Sequence, residues 1–193
     1  MGIEFEVKFR ATPEVLDTIR QKITGREAQY RMETTYYDTP AGELSSRHYT
    51  LRRRMENTQS VCTLKTPAAG LGRQEFEVEA DTIENAIPIL CKLSGLDALP
   101  SLLSDGVVPV CGAQFTRIAK TVPLPGCTVE LALDQGILTG GGRKAPLCEV
   151  EVELKEGCRE AALAYAAQLS LAFGLEQEKE SKFRRAQKLA TQL

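Results

Sequence analysis

The chain has no tryptophan and only one histidine, His48, among its 193 residues. A Ser-His-Asp or Cys-His mechanism would rest entirely on that side chain, and a surface or edge-strand position for it is the simpler expectation. Six cysteines, Cys62, Cys91, Cys111, Cys127, Cys148 and Cys158, stand far apart with no C-x-x-C pair. That spacing argues against a structural zinc site and a dithiol redox motif, and leaves the thiols as small, reduced hydrophobes. No apolar run approaches the length of a membrane span. No Gly-x-x-x-x-Gly-Lys-Ser/Thr loop is present, and Gly70-Leu71-Gly72 lacks the third glycine and following helix of a dinucleotide fingerprint. If phosphate is bound, side chains must hold it. Positive charge is not in excess either: the net charge is −2 and the pI about 5.6. The overall field therefore does not favour nucleic acid, and any polyanion has to be met by a local constellation.

What is present suits a soluble globular chain, 42% hydrophobic and 26% charged. A single domain covering residues 1–193 is expected. The N-terminus runs straight into a strand pattern without a basic-then-apolar leader, so a cytoplasmic location is expected.

The dominant pattern is alternation. From Ile3 to Arg10, Ile3, Phe5, Val7 and Phe9 share one face of a strand while Glu4, Glu6, Lys8 and Arg10 share the other. Similar charged faces return at Arg52 and Arg54, at Thr63 and Lys65, at Arg73, Glu75, Glu77 and Glu79, and at Arg117. They continue through Glu130 and Asp134 to Glu149, Glu151, Glu153 and Lys155. Between them, Thr12-Pro13 starts a helix with an apolar stripe at Val15, Leu16, Ile19 and Ile23. Further helices are expected over residues 82–94, with Pro88 kinking it or shifting its start, over 158–173, and over 180–189. Hairpins are expected around Glu56-Asn57-Thr58 and Pro123 to Gly126, and residues 96–112 read as a short helix and loop. The inventory is seven or eight mostly antiparallel strands whose apolar faces need helical cover. An open sheet with a solvated polar face and a closed barrel with a charged interior both satisfy it.

Carboxylates two apart on a strand lie about 6.7 Å from one another and repel by roughly 2.5 kcal/mol at an intermediate dielectric. Three in a row, as in Glu149-x-Glu151-x-Glu153, call for counterions unless water screens them. Oxygen donors alone suit a hard divalent cation, Mg²⁺ or Mn²⁺. The neighbouring bases Lys8, Arg52, Arg54, Lys65, Arg73 and Arg117 suit a multiply anionic ligand. Together they describe a metal-polyphosphate complex.

The blocks Glu4-x-Glu6-x-Lys8, Tyr37-Asp38-Thr39, Arg52-x-Arg54, Thr63-x-Lys65, Arg73-x-Glu75-x-Glu77, Phe115-x-Arg117, Glu130 to Asp134, Glu149-x-Glu151-x-Glu153 and Ser181-Lys182 resemble, in that order, the CYTH superfamily of triphosphate tunnel metalloenzymes. The resemblance implies an α+β fold: a closed eight-stranded antiparallel β-barrel tunnel with a charged interior and helices outside. It implies one or two Mg²⁺ or Mn²⁺ ions on Glu4, Glu6, Glu149 and Glu151, with Glu130 and Glu153 as further ligands. Lys8, Arg52, Arg54, Lys65, Arg73, Arg117 and Lys182 are then the substrate-binding set, and Glu4, Glu6 and Lys8 the catalytic one. The activity implied is hydrolysis of a triphosphate, inorganic triphosphate first, to diphosphate and phosphate. A class IV adenylate cyclase, a thiamine or nucleoside triphosphatase and a non-catalytic polyphosphate binder are the alternatives; the tunnel-mouth tryptophan associated with thiamine triphosphate is lacking. No nucleic-acid or membrane partner is expected. Arg53 reads as a surface residue by parity, Asp38 as either a turn former or a site residue, and Asp134 as the cap of a bend.

Overall fold

Alternating apolar and charged residues make strands that are oily on one side only, and this chain stacks ten of them into one antiparallel sheet. The computed structural model describes residues 2–68 and 73–191, with the backbone alone for residues 2–4. The strands are β1 (Gly2–Glu4), β2 (Glu6–Arg10), β3 (Arg26–Asp38), β4 (Thr50–Glu56), β5 (Gln59–Pro67), β6 (Arg73–Glu79), β7 (Val108–Leu124), β8 (Cys127–Gly140), β9 (Arg143–Gly157) and β10 (Glu176–Gln177). The helices are α1 (Pro13–Lys22), α2 (Glu43–Ser46), α3 (Ile83–Ser94), α4 (Leu99–Leu102), α5 (Arg159–Phe173) and α6 (Lys182–Thr191). None of the described helices is long and apolar enough to cross a membrane.

The hydrogen-bonded order is β1-β6-β5-β4-β3-β7-β8-β9-β2-β10. This differs from the expected ring of eight. The first strand is interrupted at Phe5, so that its leading half pairs with β6 and its trailing half with β9, and the short β10 is added beside β2. Phe5 stays in the structure through its carbonyl, which accepts the Leu154 N–H at 3.0 Å.

The outward faces are covered as the pattern requires. Phe9, Val129, Leu131, Leu133, Val150 and Val152 pack against Leu16 and Ile19 of α1 and Ala162, Ala166 and Leu169 of α5. Leu51, Cys62, Leu64 and Phe76 pack against Ile83, Ala86 and Leu90 of α3 and Leu99 of α4. The Thr12 side chain accepts from Val15 N and the Thr82 side chain from Asn85 N, so both helices are capped where the sequence places a threonine. The α3 helix starts at Ile83 and runs through Pro88, which stands on its exposed side.

The last helix behaves differently. By alternation, Leu138 shares a face with Asp134, and Leu147 with Glu149, so both point to the charged side of the sheet. There they join Met32, Tyr36, Cys111, Ala113 and Phe115 in a third core, closed by Phe183 and Ala186 of α6. The helix therefore packs against the inner face, at an end where that face turns apolar. Gly140 allows the approach, because a Cβ on it would stand 2.3 Å from the Ala186 carbonyl oxygen.

Lys120 is an outward-facing cation in this otherwise oily layer, and it is buried. Its ammonium donates to the carbonyls of Arg20 at 2.6 Å and Ile23 at 2.7 Å, ending α1, and pairs with Glu27 at 3.3 Å. Lys120→Met should lower stability by about 2 kcal/mol, since it strips two partly buried carbonyls of a charged donor. Urea unfolding checks this; an unchanged midpoint would mean that α1 is held by its apolar stripe alone.

Candidate active site

The registers of β2, β9 and β8 fix which inner side chains meet. Glu6 lies opposite Glu153, and Glu153 opposite Glu130; one step along, Lys8 lies opposite Glu151; one step further, Glu149 lies opposite Asp134. On the far side Arg117 lies opposite Asp134 and Tyr30 opposite Arg117. These faces enclose a cavity of about 330 Å³. Lined by Glu6, Lys8, Arg52, Arg54, Lys65, Arg73, Glu75, Glu77, Arg117, Glu130, Glu151, Glu153 and Lys182, it brings acids and bases together in one space.

Its acidic rim consists of Glu6, Glu130 and Glu153 on three adjacent strands. Lys8 pairs with Glu6 at 2.8 Å, and Lys155 with Glu153 at 2.9 Å and Glu130 at 3.9 Å. Burial works to depress the Lys8 ammonium, but Glu6, Glu151 and Glu149 outweigh it and leave Lys8 above its ordinary value. It is a fixed positive charge at neutral pH.

The floor is a network of buried ion pairs. Arg117 holds Asp134 with two parallel bonds of 2.8 and 2.7 Å and reaches Glu151 at 2.5 Å. Lys182, at the start of α6, meets Asp134 at 2.8 Å, Glu151 at 2.8 Å and Glu149. Arg185, one turn on, pairs with Glu149 and stands 3.7 Å from Glu178. Burial penalises the Arg117 and Lys182 charges, yet their carboxylate neighbours more than offset this and raise both. Burial likewise opposes ionisation of Glu151, but Lys182 and Arg117 hold it well below the carboxylate range. Glu149 goes the other way: burial, helped by Glu151, pushes it up to about 7 against Lys182 and Arg185.

The opposite wall is basic. Arg52 and Lys65 stand 3.4 and 3.2 Å from Glu75. Arg54 pairs with Glu56, while its buried Nε–H finds no acceptor among the described residues. Burial and the nearby charges of Arg52 and Arg117 lower its pKa, so this guanidinium is under-compensated. Arg73 lines the cavity but donates from one nitrogen to the His48 carbonyl at 2.7 Å, the Thr50 hydroxyl at 3.2 Å and the Lys65 carbonyl at 3.2 Å.

Most of the sequence-derived set converges, with corrections. Glu149 does not line the cavity: it is fully buried, its oxygens facing Lys182 and Arg185. Asp134 is no bend cap but the buried partner of Arg117. Asp38 is a turn former, its carboxylate accepting the N–H groups of Thr39, Leu44 and Ser45. Lys155 also faces the cavity. The side chain of Glu4 and residues 69–72, which include Gly70-Leu71-Gly72, lie outside the described residues. Sequence reasoning missed Arg185 and Glu178; an arginine three residues after Lys182 on a helix was the available signal.

Among the described residues, one carboxylate grouping has its oxygens close enough together to hold a cation as it stands. Asp134, Glu149 and Glu151 bring one oxygen each within 4.8 Å of one another, but Arg117, Lys182 and Arg185 already occupy them. Glu6, Glu130 and Glu153, with Glu151 beside them, offer oxygen donors only and open onto the cavity. That donor set fits a hard divalent ion.

Removing Glu151 leaves two buried bases short of a partner. In chelated protein Glu151→Gln should cost about 3 kcal/mol at neutral pH. Because the folded carboxyl titrates below the ordinary 4.5, its stabilisation is full above that value and is lost as pH falls below it. Melting curves of both proteins from neutral to acid pH should show the gap narrowing; a pH-independent gap would contradict this assignment.

With the geometry in place, comparison with known proteins is direct. An inorganic triphosphatase of Haemophilus influenzae is 32% identical over 162 residues, 80% of this chain and 46% of that protein, so the chain spans about half the length of this relative. Among solved structures, an adenylyl cyclase candidate from Hippeastrum, described as revealing a dominant triphosphatase activity, superposes with a TM-score of 0.70 at 20% identity over 96% of both chains. An adenylate cyclase candidate from Bacillus halodurans gives 0.66 at 20% identity over 95% of this chain and 96% of that one. A protein from Pyrococcus horikoshii gives 0.64 at 22% over 96% and 98%. At these identities the structural likeness is one of fold. The profile of the CYTH domain matches residues 2–186, nearly the whole chain, and the chain belongs to the CYTH domain family.

Proposed function

We propose that this chain hydrolyses a triphosphate, inorganic triphosphate first, to diphosphate and phosphate with the help of Mg²⁺ or Mn²⁺. The observation that carries the reading is the facing of an acidic rim and a basic wall across one cavity of about 330 Å³. The 32% identity to an inorganic triphosphatase supports it. In this reading β1 and β2 act as one strand whose pairings with β6 and β9 complete a ring of eight around the cavity.

Glu6, Glu130, Glu151 and Glu153 would hold the divalent ion, with Glu4, which the sequence resemblance implies as a further ligand. When bound, the ion neutralises phosphate oxygens and lowers the pKa of the attacking water. Arg52, Arg54 and Lys65 bind the anion from the opposite wall, and the under-compensated Arg54 gains the acceptor that the described residues do not give its Nε–H. Arg73 fixes the wall's edge through its backbone contacts. Lys8, protonated, offers charge rather than basicity: it orients a terminal phosphate oxygen while water attacks phosphorus and the bond to diphosphate breaks. Arg117 and Lys182 stabilise the charge that moves to the leaving diphosphate.

Tripolyphosphate, ATP and thiamine triphosphate offered with Mg²⁺ or Mn²⁺ should give phosphate and diphosphate from tripolyphosphate fastest. Glu6→Gln and Glu153→Gln should each lower kcat/KM about 100-fold at limiting metal, and excess metal should recover part of it. Arg54→Ala should raise KM more than it lowers kcat. Cyclic AMP as the main product from ATP, or no turnover of any triphosphate, would overturn the proposal.

A further inference from the structure

Arg117 and Lys182 are the bases set deepest in the cavity, and neither is available to an anion as it stands. Arg117 spends its fork on Asp134 and a further N–H on Glu151; Lys182 is shared among Asp134, Glu149 and Glu151. With Arg185 on Glu149, three carboxyl groups face three cations, so the floor holds no surplus of free bases. A bare triphosphate entering this floor would have to pull the bases off carboxylates that then stay buried without a partner, while meeting their negative charge.

We infer that the floor is a latch that admits triphosphate only together with a divalent cation: the cation replaces Arg117 and Lys182 as the partner of Glu151, and the N–H groups so freed become the grip on phosphate. The inference rests on the triphosphate reading above. Three observations carry it. Glu151 is shared, contributing one oxygen to Arg117 and the other to Lys182 while also lining the cavity beside the rim acids, so one ligand change acts on both bases. Asp134 does not line the cavity and touches no substrate space; it is a positioning residue that sets the rest state of Arg117. Finally, the Phe115 ring lies 5.8 Å from the Arg117 guanidinium and 5.3 Å from the Lys182 ammonium, a second surface on which either cation can rest when it leaves its carboxylate.

Calorimetric titration of the whole chain with a non-hydrolysable tripolyphosphate analogue, in EDTA and with Mg²⁺, tests the latch. Wild type should bind about tenfold or more weakly in EDTA. Asp134→Asn should raise the EDTA affinity about tenfold and leave the Mg²⁺ affinity nearly unchanged, because it loosens Arg117 without touching the rim. Glu77→Gln removes the same unit of charge from the cavity lining, at a residue bonded to Thr63 rather than to either base, and should leave the EDTA affinity unchanged. If Asp134→Asn does not fold, the side-chain Nε–H NMR signal of Arg117 in wild type reports the same event: the analogue should move it with Mg²⁺ and not in EDTA. Equal wild-type affinity in both conditions, or an equal effect of Glu77→Gln and Asp134→Asn, overturns the latch and leaves the triphosphate reading standing. Binding in neither condition overturns both.

Discussion

The carboxylates at the floor of this cavity are out of reach of bulk water, and a guanidinium or ammonium stands against each of them. Asp134 and Glu149 are completely buried, and each has a cation within hydrogen-bonding reach. Such pairs add little net stability over an apolar filling of the same volume, and breaking one partner is expensive. Selection for stability alone would not assemble them. Their worth lies in keeping charges of both signs close together in a low-dielectric space, where a charged ligand can exchange one partner for another.

That constraint also explains the arrangement around the cavity. Acids are concentrated on β2, β8 and β9 and bases on β4 and β5, so the two walls attract one another across the space between them. The C-terminal helix completes the floor. It is seated by Phe183 and Ala186 on an apolar stretch of the inner face, and this seat brings Lys182 and Arg185 to the buried acids. Position and charge thus arrive from different parts of the sequence: the apolar contacts locate the helix, and its cations satisfy the sheet.

Strands with strict alternation were legible. In β2 and β9 every second residue is apolar, and parity alone put Glu6, Lys8, Glu151 and Glu153 on one face, where the structure has them. In β3 the reading failed. Its inner positions, Ala28, Tyr30, Met32, Thr34 and Tyr36, are less charged than the outer Glu27, Gln29, Arg31 and Glu33, so its alternation runs opposite to that of the charged inner faces, and no strand was expected over residues 26–35. The same limit applied to depth. Alternation says which face a residue takes, not whether it lies at the rim or the floor, which is why Glu149 and Glu151 read as equivalents although one lines the cavity and the other lies behind its wall. Pairing between distant segments, such as Asp134 with Arg117 or Glu149 with Arg185, depends on register and helix docking that local pattern does not carry.

The central claim is that the rim acids and the buried network serve one enclosed cation and anion site. Crystals grown with Mn²⁺ and a non-hydrolysable tripolyphosphate analogue, measured at a wavelength where manganese scatters anomalously, address it directly. The account predicts an anomalous peak inside the cavity, ligated by Glu6, Glu153 and Glu151 or Glu130, with the analogue between it and Arg54. Manganese bound only on the outer surface, or an analogue lying outside the cavity, would contradict it.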